Sequence, residues 1–286
     1  MSFQDARNYQ IIFLSVFLLL GICNRDWTVR PTLMLVIMLS CVLTQIILSG
    51  LIQPTKDVNL YTYPINWPQM SLISLRSAII TGLGLCLLLR ANYYSTVVLA
   101  SCLAIASKFL FRFQGKHCFN PANFGIITAL IFTPDAWVSP GQWGTDWWYL
   151  LLFLGSGGMI LKKVGRWDTS AVFLLTYISL ETVRHFWLGW SGDVLLHQLT
   201  NGSFLLFALF MLTDPRSIPN ATTGRLIWAM AVGGLTFILQ HSFYLSSAIF
   251  WALFILSPLT IILDYFWSAP QFTWIIARQQ KTLNPE

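Results

Sequence analysis

The residues best suited to do chemistry sit in Gly115-Lys116-His117-Cys118-Phe119-Asn120-Pro121-Ala122-Asn123-Phe124-Gly125, a polar span in an apolar chain. Buried polar groups cost free energy unless they are paired, and lipid offers no water to pair them. A second polar break, Thr213-Asp214-Pro215-Arg216-Ser217-Ile218-Pro219-Asn220, lies in the other half of the chain. Proline removes a backbone donor and disfavours helix in the residue before it, so Asn120 and Asp214 are pushed out of helical geometry. Each is free to cap the next half-helix or to hold a ligand.

A half-helix that starts near Ala122 has unpaired N–H groups and a partly positive end. It suits an anionic group, such as a phosphate or the electron-rich N1/C2 carbonyl edge of a flavin. Lys116 and His117 add donors and positive charge beside it. The plainer reading is a re-entrant turn whose polar residues satisfy the backbone. Thr213, Asp214 and Arg216 carry the same two readings, with Asp214 and Arg216 as an ion pair in the plainer one. The expectation is that both breaks face one site.

The elements that must position these residues are membrane helices. The chain has 286 residues, of which 56% are hydrophobic and 10% charged, against about 25% charged in soluble domains. No soluble core absorbs that much apolar surface. Several of the 13 Trp fall at segment ends, among them Trp27, Trp137, Trp167 and Trp267, where an aromatic belt belongs. The net charge of +6 is not a nucleic-acid footprint, because no basic stripe interleaved with aromatics is present. The five Cys show no CxxC spacing, which leaves no disulfide framework and no metal set.

The apolar segments fall at 9–23, 31–51, 71–89, 94–113, 124–133, 147–161, 169–190, 203–212, 225–239 and 246–263. A proline-punctuated loop covers 53–69. Segment 9–23 lacks a basic leader and a small-residue cleavage site, and reads as a mature helix. The segments 124–133 and 203–212 are too short to cross a bilayer alone. Short apolar segments at matching places in two halves point to an inverted repeat with its site at the interface. Lys and Arg gather on the side of the termini, with only Arg25, Arg30 and Arg90 opposite, so both termini are expected in the cytoplasm.

Arg76, Glu181, Arg184 and His185 lie within apolar segments, where ionisable groups are functional candidates. Glu181 and Arg184 share a helix face, as a structural pair or as part of an ion or proton path. His197 and His241 read as isolated interfacial residues. The chain has no GxSxG, HExxH or P-loop, and yields no catalytic set.

Lys116-His117-Cys118-Phe119-Asn120-Pro121-Ala122-Asn123-Phe124-Gly125, with Phe210-Met211-Leu212-Thr213-Asp214-Pro215 after a short apolar run, resembles a family of membrane flavoproteins. Its members are the B-type subunit of the sodium-pumping NADH:quinone oxidoreductase and the D-type subunit of the Rnf electron-transport complex. The resemblance implies ten helices in two inverted five-helix repeats, flavin in the membrane domain, and electron transfer coupled to ion movement. That family attaches flavin mononucleotide to the Thr of a Ser-Gly-Ala-Thr motif. The corresponding loop here reads Trp137-Val138-Ser139-Pro140-Gly141-Gln142-Trp143-Gly144-Thr145-Asp146-Trp147, and Ser-Gly-Ala-Thr occurs nowhere. A divergent, short member is expected, with flavin (FMN or riboflavin) held noncovalently.

The sequence thus predicts an all-α integral membrane protein of about ten transmembrane helices. It forms one domain over 1–286, with repeat halves 1–140 and 141–270. Lys116, His117, Asn120, Pro121, Asn123, Thr213, Asp214 and Arg216 would line a flavin site. The setting is a bacterial inner membrane or its equivalent, and the partners are lipid, other membrane or redox subunits, and quinone. A solute transporter or channel of the same plan without a redox cofactor is the alternative. A third reading is an accessory subunit that only scaffolds partners.

Overall fold

The computed structural model describes residues 5–24, 30–51, 67–138 and 147–272. Most of the loop expected at 53–69, the segment 139–146 with Thr145, and the tail from 273 lie outside the described residues. The described helices are α1 Ala6–Asn24, α2 Pro31–Leu51, α3 Trp67–Leu88, α4 Tyr94–Leu110, α5 Pro121–Phe132, α6 Trp147–Val164, α7 Trp167–Leu188, α8 Gly192–Leu199, α9 Gly202–Leu206, α10 Thr222–His241, α11 Ala248–Leu256 and α12 Leu259–Phe266. A π turn, Phe207–Met211, continues α9. Two short antiparallel strand pairs complete the set: β1 Leu89–Arg90 with β4 Trp137–Val138, and β2 Arg112–Phe113 with β3 Lys116–His117.

The chain is an integral membrane protein. Helices α1 (over Ala6–Cys23), α2 and α10 are long and apolar enough to cross a membrane, and α11 with α12 makes a fourth, bent by 47°. On α2 the outward residues Leu35, Leu39, Leu43 and Ile47 are each more than half exposed and recur at helical spacing, as a lipid-facing stripe requires. Inside, Phe17 of α1 meets Phe153 of α6 at 4.5 Å and Phe210 of the π turn at 5.7 Å between ring centres.

Two helix pairs set the geometry. Tyr94 donates to Thr32 near the starts of α4 and α2, and Thr44 donates to Cys102 Sγ further along both, so these helices run parallel. Helices α7 and α10 do the same: Asp168 pairs with Arg225 near their starts, Tyr177 donates to Gln240, and Glu181 meets His241 at the end of α10. Helix α5 folds back against α4. A Cβ at Gly125 would lie 2.7 Å from the Ala100 carbonyl oxygen, so only glycine permits this approach.

Two features depart from the sequence expectation. The segment expected as a helix over 94–113 stops at Leu110, and a β2–β3 hairpin follows, turning at Gln114 (φ 49°) and Gly115 (φ 80°). The segment expected over 246–263 is broken between α11 and α12, because Pro258 cannot continue the hydrogen-bond ladder.

Candidate functional site

Asn120 takes an extended backbone (φ −65°, ψ 124°), and its Oδ1 accepts from the Asn123 N–H at 3.1 Å. Pro121 occupies the first helical position, where its missing N–H costs nothing. Asn120 is therefore the cap that the Asn-Pro dipeptide predicts. Its Nδ2 donates across to the Met211 carbonyl at 3.0 Å, at the end of the π turn. Asn123 is 1% exposed, and its Nδ2 donates to the Phe250 carbonyl of α11 at 3.1 Å. Its Oδ1 has no hydrogen-bond partner among the described residues.

The second break meets the first directly. The π turn widens the helix just before the chain leaves it: Leu212 N–H reaches back to Phe207 at 2.8 Å. Thr213 Oγ1 donates to the Leu209 carbonyl at 3.0 Å. Asp214 Oδ1 accepts from the Arg216 backbone N–H at 3.2 Å, which makes an Asx turn rather than a helix cap. The Arg216 guanidinium donates to the Gly115 carbonyl at 3.2 Å and forms no ion pair with Asp214 among the described residues. The structure thus joins the two breaks into one cluster through their neighbours: Asn120 caps Asn123 and reaches the π turn, Arg216 reaches the hairpin, and Thr213 bonds back to Leu209.

Lys116 joins this cluster through a residue that sequence reasoning missed. Asp264 of α12 takes the Lys116 ammonium and also accepts both Asn220 N–H (2.7 Å) and Asn220 Nδ2 (3.1 Å). Asn220 in turn accepts from Arg225 Nη1 at 2.6 Å. An Asp at the end of an apolar run, with Pro258 earlier in that run, was the available signal. Phe111, Phe119, Phe124 and Phe254 pack edge and face around the hairpin, with centroids 5.1–5.9 Å apart.

Burial dominates the electrostatics. It draws the Lys116 ammonium below its ordinary value, against the pull of Asp264. It holds His117 well below the usual imidazole range, helped by Arg216, Arg112 and Lys108, so His117 is neutral at pH 7. It pushes the Asp214 carboxyl up, against the Arg216 N–H bond. His117 Nδ1 has no hydrogen-bond partner among the described residues.

Beside the hairpin lies a hollow of about 20 Å³ walled by Lys116, His117, Cys118, Thr260 and Asp264. That is room for water. Thr145, the hydroxyl in the loop corresponding to the family's attachment site, lies outside the described residues.

A protein-family model described as the NQR2, RnfD, RnfE family matches residues 137–273, which span the second break and α6 to α12. The D-type subunit of an ion-translocating oxidoreductase complex from Alcanivorax borkumensis is 25% identical over 255 residues, covering 66% of this chain and 73% of that protein. The same kind of subunit from Halorhodospira halophila is 32% identical over 123 residues, covering 43% of this chain and 34% of that one. That from Stutzerimonas stutzeri is 31% identical over 120 residues, covering 40% of this chain and 32% of its own length. Against the last two the chain spans about a third of the relative's length. The resemblance read from the two proline-marked breaks therefore holds, and the chain is a relative of the NQR2, RnfD, RnfE family.

Proposed function

We propose that the chain is a membrane subunit of an ion-translocating electron-transfer assembly. The observation that carries this reading is the family match over 137–273, together with relatives named as the D-type subunit of an ion-translocating oxidoreductase complex. Such a subunit would work with other membrane and redox subunits and with quinone, as a component rather than a whole enzyme. In this reading the helices form two five-segment halves, about 1–140 and 141–270. The order of packing supports it: α1 lies on α3, α2 on α4 and α4 on α5, as α6 lies on α9 and its π turn, α7 on α10 and α10 on α11.

The finer part of the reading is noncovalent flavin, FMN or riboflavin, beside Lys116 and His117. The water-sized hollow means that the Lys116–Asp264 pair has to part to admit it. Purifying the protein in mild detergent and recording its visible spectrum, with and without added FMN or riboflavin, tests this part. A yellow protein, or one that retains added flavin, is the expected result. A colourless protein that takes up neither removes the cofactor from the reading. Co-purification of partner subunits from the native membrane tests the rest.

The direct bonds between the two breaks favour a second reading, a transporter or channel without a redox cofactor. Flux of small polar solutes into liposomes carrying the pure chain would support it.

A further inference from the structure

Away from the two breaks, the α7–α10 pair buries a cluster of acid and base groups. Glu181 is 0% exposed. Its Oε1 lies 2.5 Å from His241 Nε2, and its Oε2 has no hydrogen-bond partner among the described residues. His185, one turn on, spends its Nδ1–H on the Glu181 carbonyl at 2.8 Å and sits 3.7 Å from Oε2, while its Nε2 is buried without a partner among the described residues. Tyr177 faces the same carboxyl from one turn earlier and donates to Gln240 at 2.8 Å.

A carboxylate buried away from solvent with one bare oxygen is costly. The same site holding one more proton is neutral overall, as O–H···N between Glu181 and His241. The remaining charged neighbour on α7, Arg184, lies over the Trp190 ring at 4.7 Å and forms no ion pair with Glu181 among the described residues. On α10 His241 is the one titratable group facing Glu181 among the described residues, and Asp193 of α8 is exposed. No group of three His, Cys, Asp or Glu able to hold a metal ion occurs among the described residues. Glu181 Oε2 and His185 Nε2 are atoms of this cluster left without a partner among the described residues, and each can hold a proton.

We propose that Glu181, with His241 and His185, is a proton-loading site that exchanges one proton with the end of the bundle where α10 finishes. His241 is the port: it closes α10, and its side chain is 14% exposed. The inner end is shut. Gly233 is pressed so close to α7 that an added Cβ would lie 3.1 Å from Thr176 Cβ and 3.2 Å from the Phe173 carbonyl oxygen. Phe173 and Trp228 are fully buried beyond it. The proton comes from water at the port, rests on the Glu181–His241 pair and leaves by the same route. No electrons move in the step.

Infrared difference spectra of the purified chain in detergent, taken across a pH titration, test this directly. One carboxylic-acid carbonyl band should rise on acidification and be lost in Glu181→Gln. His241→Gln should displace its midpoint by at least about one pH unit, the size of effect a close charged partner exerts. If Glu181→Gln fails to fold, the His241→Gln midpoint decides, and an unmoved midpoint overturns the proposal. So does a band that persists in Glu181→Gln, the absence of any titrating band, or a band that responds to sodium at fixed pH. The measurement needs neither flavin nor partner subunits, so its failure is distinct from failure of the oxidoreductase reading.

Discussion

The pair α2–α4 and the pair α7–α10 are both parallel, and each is tied near its start and again further along, yet they are tied by different chemistry. The first is joined by hydroxyl and thiol contacts, Tyr94 to Thr32 and Thr44 to Cys102. The second is clamped by charge, Arg225 to Asp168 at one end and His241 to Glu181 at the other. Neutral ties hold regardless of proton supply. Ionisable ties in an apolar setting fix the geometry and also make it answer to protonation. The same helix arrangement therefore serves as frame in one half and as a responsive element in the other.

The comparison is broken most severely at His241. His241→Ala strands a buried carboxyl and should cost about 3–5 kcal/mol, read as thermal unfolding in detergent, with the deficit shrinking in acid. Cys102→Ala in the neutral pair should cost at most about 1 kcal/mol. Equal losses would erase the distinction. Next in size is Gly125→Ala. Its new methyl meets the Ala100 carbonyl and Ala104 Cβ below 3 Å, for an expected loss of about 1–3 kcal/mol. Gly158→Ala, which meets nothing within 4 Å, should be neutral in the same assay.

At the breaks, Asn120→Ala removes both a cap and a donor to the π turn, for about 1–2 kcal/mol. Asn120→Asp keeps the cap and should recover part of the loss. The smallest effect is at His117, whose buried imidazole binds its proton less readily folded than unfolded. The unfolded chain then takes up more protons below the ordinary value of 6.5, so stability falls as the pH drops below that value. His117→Gln should flatten this slope in a pH series of melting curves.

Much of the frame was legible in the sequence because proline and Asx residues act locally. The start of α5 at Pro121, its Asn120 cap and the exit from the π turn at Asp214-Pro215 all follow from rules that span a few residues. Pro258 is as legible, but the strongly apolar run around it masks the break it makes. Strand β2 hides in the last residues of the segment expected as a helix, and Gln114-Gly115 just past it is the cue. What no local rule gives is pairing across the fold. Glu181 shares a helix face with Arg184, whereas its partner is His241, placed there by parallel docking of α7 and α10. His241 is accordingly not isolated. Lys116 meets Asp264 in the same way, through the bend that carries α12 across the hairpin.

That bend ends in a single carboxyl shared by the hairpin and by the turn entering α10, while Tyr265 and Phe266 beside it face outward at 84% and 68% exposure. Leverage applied to those two rings would reach both ends of the junction at once. Loss of the Asp264 carboxyl would therefore release the hairpin and the turn into α10 together.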